Sequence, residues 1–373
     1  MQNIRACPKI AARRGEAPEP ETGASGAATI AKVARLANVS ETTVSLTFRE
    51  NSRISPATRR RVREVASRLR YVPNQYARSL RAGRTRLIGL LVNDLANPFY
   101  TRLAEVVEEM VESRGYHLLV FNSRWTAERE VAAVRRMMEV RVEGVLACYS
   151  ERTDEARALL EENGVPHVAL DTQPAGMEGA HVLFDLFHAA RLAAAHLAEL
   201  GCLRPALFMP FGPEAATFSS FECMERGFRE AWSRRRPDGR PPLPWPAELT
   251  IASGKEAFLR LYRNAPFVDA VFCGNDLCAF GVIDAADQLG LAVGERLAVI
   301  GIDDLPAAAL GRLGLTTLRE PVERLATLAT TALLDGVENR SEIAIRQMLA
   351  PELVQRASTL RFQRASAGGP VGR

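Results

Sequence analysis

The sequence has 373 residues, 47% of them hydrophobic and 25% charged, an ordinary globular balance for two or three domains that excludes a disordered or collagen-like chain. No run approaches the roughly 20 apolar residues that span a bilayer, and residues 1–26 lack the apolar segment of a secretory signal. The expected location is therefore the cytoplasm, with no membrane partner. The net charge of +4 is split, because residues 1–84 hold 17 Lys and Arg against 6 Asp and Glu, while the remainder holds 31 against 38. A small basic module joined to a larger acidic body is the electrostatic outline of a nucleic-acid binder with a separate second function.

Residues 1–28 read as a flexible tail. Apolar residues at 30, 33, 34 and 37 then follow a helical period, with Thr29 as N-cap. Asn38-Val39 break the pattern, and Ser40 caps a second short helix over about 40–48. Two helices joined by so tight a turn make a helix-turn-helix, whose second helix would lie in a DNA major groove. Ser55-Pro56 opens a third helix reaching about Arg70, with Val62, Val65, Ala66 and Leu69 on one face and six arginines on the other. After Tyr71-Val72-Pro73, the stretch 74–83 is too short to hold as a helix alone. Its Leu80, between Arg78 and Arg81, suits insertion between base steps in a minor groove, and packing on the next domain fits the same pattern equally.

From residue 85 onward strand and helix signals alternate. Apolar strands are expected at 87–92, 117–121, 144–148, 166–170, 205–209, 268–273 and 297–302. Such runs between amphipathic helices predict parallel sheets covered on both faces, in two lobes with a cleft between them. Open α/β sheets bind ligands beyond the carboxyl ends of their strands. Those ends carry Asn97-Pro98-Phe99-Tyr100, Asp171, Asn275-Asp276 and Asp303-Asp304. Amides, carboxylates and aromatics gathered there suit a polar small molecule, although Asn97, Asn275 and Asp276 also read as helix caps. Residues 237–246 contain five prolines and read as an irregular loop. The six cysteines (7, 148, 202, 223, 273, 278) lack metal-ligand spacing and are expected to be reduced, mostly buried thiols. The five histidines adjoin no nucleophile motif, and there is no phosphate-binding glycine loop, so no enzyme, metal or cofactor is expected.

Three segments carry a resemblance. They are T-I-x-x-V-A-x-x-A-x-V-S-x-x-T-V-S from Thr29, I-S-P-x-T-R-x-R-V from Ile54, and Y-x-P-N-x-x-A-R-S-L-R from Tyr71. Together they resemble the DNA-binding head of the LacI (lactose-repressor) family. The core marks D-x-x-N-P-F, G-N-D-x-x-A-x-G, I-G-I-D-D, L-T-T-L-R-E-P and A-P-E-L-V-x-R-x-S resemble that family's periplasmic-binding-protein-like core, so the likeness covers about 29–362. The fold it implies is an α-helical helix-turn-helix head on a two-lobed α/β core with parallel sheets. The domains it implies are a helix-turn-helix at 29–72, a hinge helix at 73–84 and a core at 85–362. Lobe 1 would comprise about 85–184 and 321–346, lobe 2 about 185–319 and 348–362, and 363–373 a tail.

The resemblance implies a repressor that binds a palindromic operator as a dimer and responds to a small-molecule effector. That effector would be a sugar, a sugar derivative or a less polar metabolite. Base contacts are implied for Glu41, Thr42 and Leu46, and phosphate contacts for Ser45, Arg49, Ser55, Thr58 and Asn74. Thr29, Ser40 and Thr43 complete the DNA-facing set, Ala77 sits where two hinge helices approach, and Leu80 is the wedge. Effector contacts are implied for Phe99, Tyr100, Asp171, Phe272, Asn275 and Asp303, with Asp185 and Met224 also at the site. Leu46 stands where several relatives carry a base-reading Arg, and Glu41 where an aromatic or small residue is common. Met224 stands where relatives often carry an Arg that clamps a hydroxyl or carboxylate, and a thioether cannot replace that bidentate donor. Leu186 follows Asp185 where Asn is usual. The alternative, a solute-binding protein of transport, shares the core but has no use for the basic head.

Overall fold

The computed structural model describes residues 28–48, 53–72, 84–150, 153–171, 178–210 and 219–360. The chain divides after Gly83 into two compact units.

Among the described residues the first unit has α1 (Ile30–Ala37), α2 (Glu41–Thr47) and α3 (Pro56–Arg68). Each begins on a hydroxyl cap, which satisfies an amide that has no partner inside the helix. Thr29 Oγ1 accepts from the Lys32 N–H at 3.3 Å, Ser40 Oγ from Thr43 at 3.1 Å, and Ser55 Oγ from Thr58 at 3.2 Å. Asn38 ends α1 in the left-handed region at φ 52°, which a short polar side chain tolerates. The core is small: Val33, Ala34, Ala37, Val44, Val62, Val65 and Ala66, flanked by Phe48 and Tyr71. Arg59, expected on the exposed face of the third helix, is half-buried, and its Nη1 donates to the Thr47 carbonyl at 3.2 Å. It thereby places a cation at the C-terminus of α2.

The second unit contains two six-stranded sheets. The first is built from β1 (Leu87–Val92), β2 (His117–Asn122), β3 (Gly144–Ala147), β4 (His167–Asp171), β5 (His181–Phe184) and β11 (Arg346–Leu349). Its order is β11-β5-β4-β3-β1-β2 and all pairs are parallel. The second is built from β6 (Pro205–Met209), β7 (Leu243–Pro246), β8 (Ala270–Cys273), β9 (Ala298–Ile302), β10 (Thr316–Arg319) and β12 (Glu352–Val354). Its order is β12-β10-β9-β8-β6-β7, parallel except for the β12 edge. Every residue of β1, β6, β8 and β9 is buried, as continuous apolar runs between two helical layers require.

Among the described residues of this unit the α-helices are α4 (Pro98–Ser113), α5 (Ala127–Glu139), α6 (Glu155–Glu162), α7 (Leu186–Glu199), α8 (Ser219–Arg235), α9 (Ile251–Asn264), α10 (Asp276–Gln288), α11 (Val322–Asn339) and α12 (Ala357–Leu360). α9 and α10 cross with backbones nearly touching, since a Cβ on Gly254 would meet the Cys278 carbonyl and one on Gly281 the Ile251 carbonyl. The chain passes between the sheets at 185, at 320–321 and at 350–351. The third passage lies beyond the expected position near 347, because Arg346–Leu349 still pairs with β5.

The proline-rich segment is also more ordered than a loop. Leu243–Pro246 forms β7 at the sheet edge, where a proline that donates nothing is tolerated, and Trp245 Nε1 donates to the Ala257 carbonyl at 2.9 Å. Cys148, Cys202, Cys273 and Cys278 are buried thiols, and Cys223 is a half-buried thiol. No helix among the described residues is long and apolar enough to cross a membrane.

Candidate functional site

In the head, α2 presents Glu41 and Thr42 exposed on its first turn, with Thr43, Ser45 and Leu46 half-buried behind them. Ser40 and Thr43 share a hydroxyl–hydroxyl contact of 2.9 Å, and Ser55 Oγ donates to Thr58 Oγ1 at 2.9 Å, so part of the hydrogen-bonding capacity of these residues is used in capping. Arg53, Arg60, Arg61, Arg63, Arg68 and Arg70 are exposed. Arg49, Asn74, Ala77 and Leu80 lie outside the described residues.

In the core, the carboxyl ends of β1, β4, β8 and β9 converge between the two sheets. Asn97 caps α4, its Oδ1 accepting from the Phe99 N–H at 3.0 Å, while its Nδ2 reaches across the cleft to Asp303 Oδ2 at 3.1 Å. That cap turns Phe99 and Tyr100 inward. Their rings lie 5.0 Å apart edge to face, and Trp125 stands edge-on to Tyr100 at 6.5 Å. The Tyr100 hydroxyl donates to Asp171 Oδ2 at 3.0 Å, and burial beside that carboxylate pushes its own pKa well up, so it stays a donor. Asn275 caps α10, accepting from Cys278 N–H at 2.9 Å and donating to the Leu249 carbonyl at 3.1 Å.

These groups surround a void of about 60 Å³ lined also by Met224, Phe221, Leu186 and Glu320. Phe99, Tyr100, Asp171, Met224, Asn275 and Asp303 are thus brought together. Phe272 is not. It is fully buried in lobe 2, stacked on Phe228 at 5.6 Å, because alternate residues of a strand covered on both faces point away from the cleft. Asp185 does not line the void either; it caps α7, accepting from the His188 N–H at 2.8 Å.

Three of the strand-end carboxylates sit on backbone of positive φ. Asp171 has φ 62° and Asp303 φ 115°, regions that cost a side-chain-bearing residue about 1–3 kcal/mol. Asp304, at φ 53°, turns the other way and pairs with Arg319 at 2.7 Å and Arg356 at 2.6 Å. Asp276 lies beneath the site, accepting from the Leu305 N–H at 2.8 Å and the Thr317 hydroxyl at 2.6 Å. It fits there because position 301 is glycine, and a Cβ at that point of β9 would fall on Asp276 Oδ1.

Burial raises the pKa of Asp276 to about 7, with its two donors pulling the other way and Asp304 pushing with burial. Burial, together with the neighbouring carboxylates Asp276 and Asp171, holds the Asp303 carboxyl well above its ordinary range, against the pull of Asn97. Glu320 is raised in the same way, by burial first and then by Asp171, Asp303 and Asp276. Trp125, Phe221 and Glu320 were not among the expected contacts, and Asn97, read as a strand-end amide or a cap, serves as both. Trp125 follows a strand end and Glu320 follows β10, so the strand-end rule applied to every strand finds both.

Comparison with known proteins places these two units. The family described as "Bacterial regulatory proteins, lacI family" matches residues 29–74, and a periplasmic binding protein-like domain matches 194–359. The chain is 32% identical over 333 residues to the HTH-type transcriptional repressor PurR of Proteus mirabilis (strain HI4320), covering 89% of this chain and 96% of the relative. Its fold is similar to that of a lac repressor dimer bound to operator and an anti-inducer, with a TM-score of 0.75 at 24% identity over 90% of this chain and 100% of that one. It is also similar to the transcriptional regulator CelR in complex with cellobiose, with a TM-score of 0.66 at 27% identity over 89% of this chain and 99% of that one. The match of the head, and a relative so alike along nearly its whole length, show that this chain belongs to the lacI family of bacterial regulatory proteins.

Proposed function

We propose that this protein is a transcriptional repressor that grips a palindromic operator as a homodimer through residues 29–72 and the linker 73–84. A small-molecule effector seated between the lobes of the core changes that grip. The observation that carries the reading is the coupling, on one chain, of a lacI-type head to a cleft closed by the Asn97–Asp303 hydrogen bond. Binding that separates or tightens the lobes acts on that bond, and a ligand shifts such an equilibrium by its differential affinity for the two states. Glu41, Thr42 and Leu46 are proposed to read base edges, with Ser45, Arg49, Ser55, Thr58 and Asn74 on phosphates. Phe99, Tyr100, Asp171, Met224, Asn275 and Asp303 are proposed to face the effector. The protein works where the chromosome is, in the cytoplasm.

Selection from random double-stranded DNA tests the first half. A dimer with isologous contacts reads an inverted repeat, with half-sites about one helical turn apart and hence a palindrome of roughly 14–20 base pairs. A consensus with a single half-site would overturn the dimeric reading.

A further inference from the structure

The cleft is acidic in an unusual way. Asp171, Asp303 and Glu320 all line the same void, and no Lys, Arg or His among the described residues does. The nearby guanidiniums of Arg319 and Arg356 are taken by Asp304, which faces away from the void. Of the core stretches outside the described residues, 172–177 and 211–218 contain no basic residue, while 151–152 contains Arg152 and 361–362 contains Arg361.

Glu320 is the informative member. It is 6% exposed, it faces the void, and its carboxylate makes no hydrogen bond or ion pair with any described residue. Among the described residues, the Asp303 carboxylate accepts from the Asn97 amide and Asp171 from the Tyr100 hydroxyl. A buried carboxylate without a partner is costly, and costlier still beside others of the same charge. The strained backbone at Asp171 and Asp303 holds two of the three toward the void at a further cost in stability. The remaining walls carry four aromatic side chains, Phe99, Tyr100, Trp125 and Phe221, beside aliphatic ones such as Leu186 and Ile302 and the amides of Asn97 and Asn275. Carboxylates between aromatic faces complement a positive charge, by ion pairing and by attraction to the ring faces. The carboxylates are not arranged as metal ligands, since no group of three acidic, His or Cys residues among those described is placed to hold a metal ion.

We infer that the effector of this protein carries a protonated amine, and that Glu320, Asp303 and Asp171 receive its ammonium group inside the aromatic box. The inference rests on the reading of the cleft as the effector site. A void of about 60 Å³ holds an ammonium with one or two carbons, so the rest of the molecule enters as the lobes part. Met224 fits the same logic: a buried guanidinium at that position would occupy the place of the ligand's own charge.

The test is a thermal-shift and operator-release assay on the full chain with matched triplets of amine, alcohol and acid. The probes are glucosamine, glucose and glucuronate, together with tyramine, 4-hydroxyphenylethanol and 4-hydroxyphenylacetate, extended to a general library of primary and secondary amines with their hydroxyl counterparts. Stabilisation confined to amines, weakened at least tenfold in Glu320→Gln and in Asp303→Asn, is the expected result. Both variants are near-isosteric, and retained operator binding shows that they fold. Stabilisation by the alcohols or acids but not the amines overturns the inference while leaving the effector site in place. If that response is lost in Arg152→Gln, the chain's own guanidinium neutralises the acids. No response from any class, with normal operator binding, overturns the effector reading itself.

Discussion

Asp276 offers a quantitative check on the electrostatics of the core. It has no solvent exposure, and burial lifts its pKa from an ordinary 3.8 to about 7. Below pH 3.8 both the folded and unfolded chains hold the proton, so the relative stability is complete there. Between that point and about 7 the unfolded chain releases the proton while the folded chain keeps it, so stability falls as pH rises. With 1.36 kcal/mol per unit, the fall between pH 5 and pH 8 is about 3 kcal/mol. For a core of this size that is a drop of about 5 °C in melting temperature. Asp303 and Glu320 slope the same way. His167 and His196, whose pKa values burial lowers, slope oppositely at the acid end. The wild type alone therefore mixes several groups, and the informative quantity is the difference from Asp276→Asn. Asparagine keeps an acceptor for the Leu305 N–H but cannot ionise. Thermal unfolding of both proteins across pH 5–8 should show the variant gaining on the wild type as pH rises. Parallel curves, or a wild type that gains on the variant, would refute the assignment of a raised carboxyl at this position.

Ser40→Ala removes the cap of the second helix and should cost about 1 kcal/mol of head stability, lowering operator affinity while leaving the melting of the core unchanged. Met224→Arg should insert a cation among the cleft carboxylates, raising the melting temperature more at pH 8 than at pH 5 and abolishing amine binding; a destabilised protein at both pH values would place the guanidinium elsewhere. If Leu80 wedges into the central base step, Leu80→Ala should lose DNA bending in gel-phasing assays and weaken specific operator binding, with salt-dependent non-specific binding retained on the arginines of the third helix. Unchanged bending would return Leu80 to a packing role.

Local chemistry was the most legible part of the sequence. A hydroxyl or amide before an apolar periodic run announces a cap, and Thr29, Ser40, Ser55 and Asn275 all cap through contacts within three residues. The alternation of apolar strands with helices was enough for two parallel sheets. What the sequence hid depends on partners far along the chain. Phe272 and Met224 are both apolar residues of lobe 2, and only the packing of β8 and α8 decides that one faces the core and the other the cleft. Asp303 and Asp304 are neighbours of the same type, yet one faces Asn97, 206 residues away, and the other Arg356. Glu320 stands just past β10, where the strand-end rule finds it, but its meaning comes from Asp171 and Asp303, which the fold brings beside it. Leu243–Pro246 carried a loop's composition because an edge strand does not need every amide.

The first sheet closes on β11, which pairs with β5 across a stretch of about 160 intervening residues. During synthesis, β5 therefore presents an unpaired edge until almost the whole core has left the ribosome, on the order of ten seconds or more. The second sheet has the same debt, since the edge of β10 is covered only by Glu352–Val354, the next strand to emerge. Both exposed edges are closed within a few residues of each other, at the very end of the core. Neither lobe can finish before the other, and a nascent chain stalled near residue 320 would carry two open strand edges, each a template for pairing with a neighbouring copy.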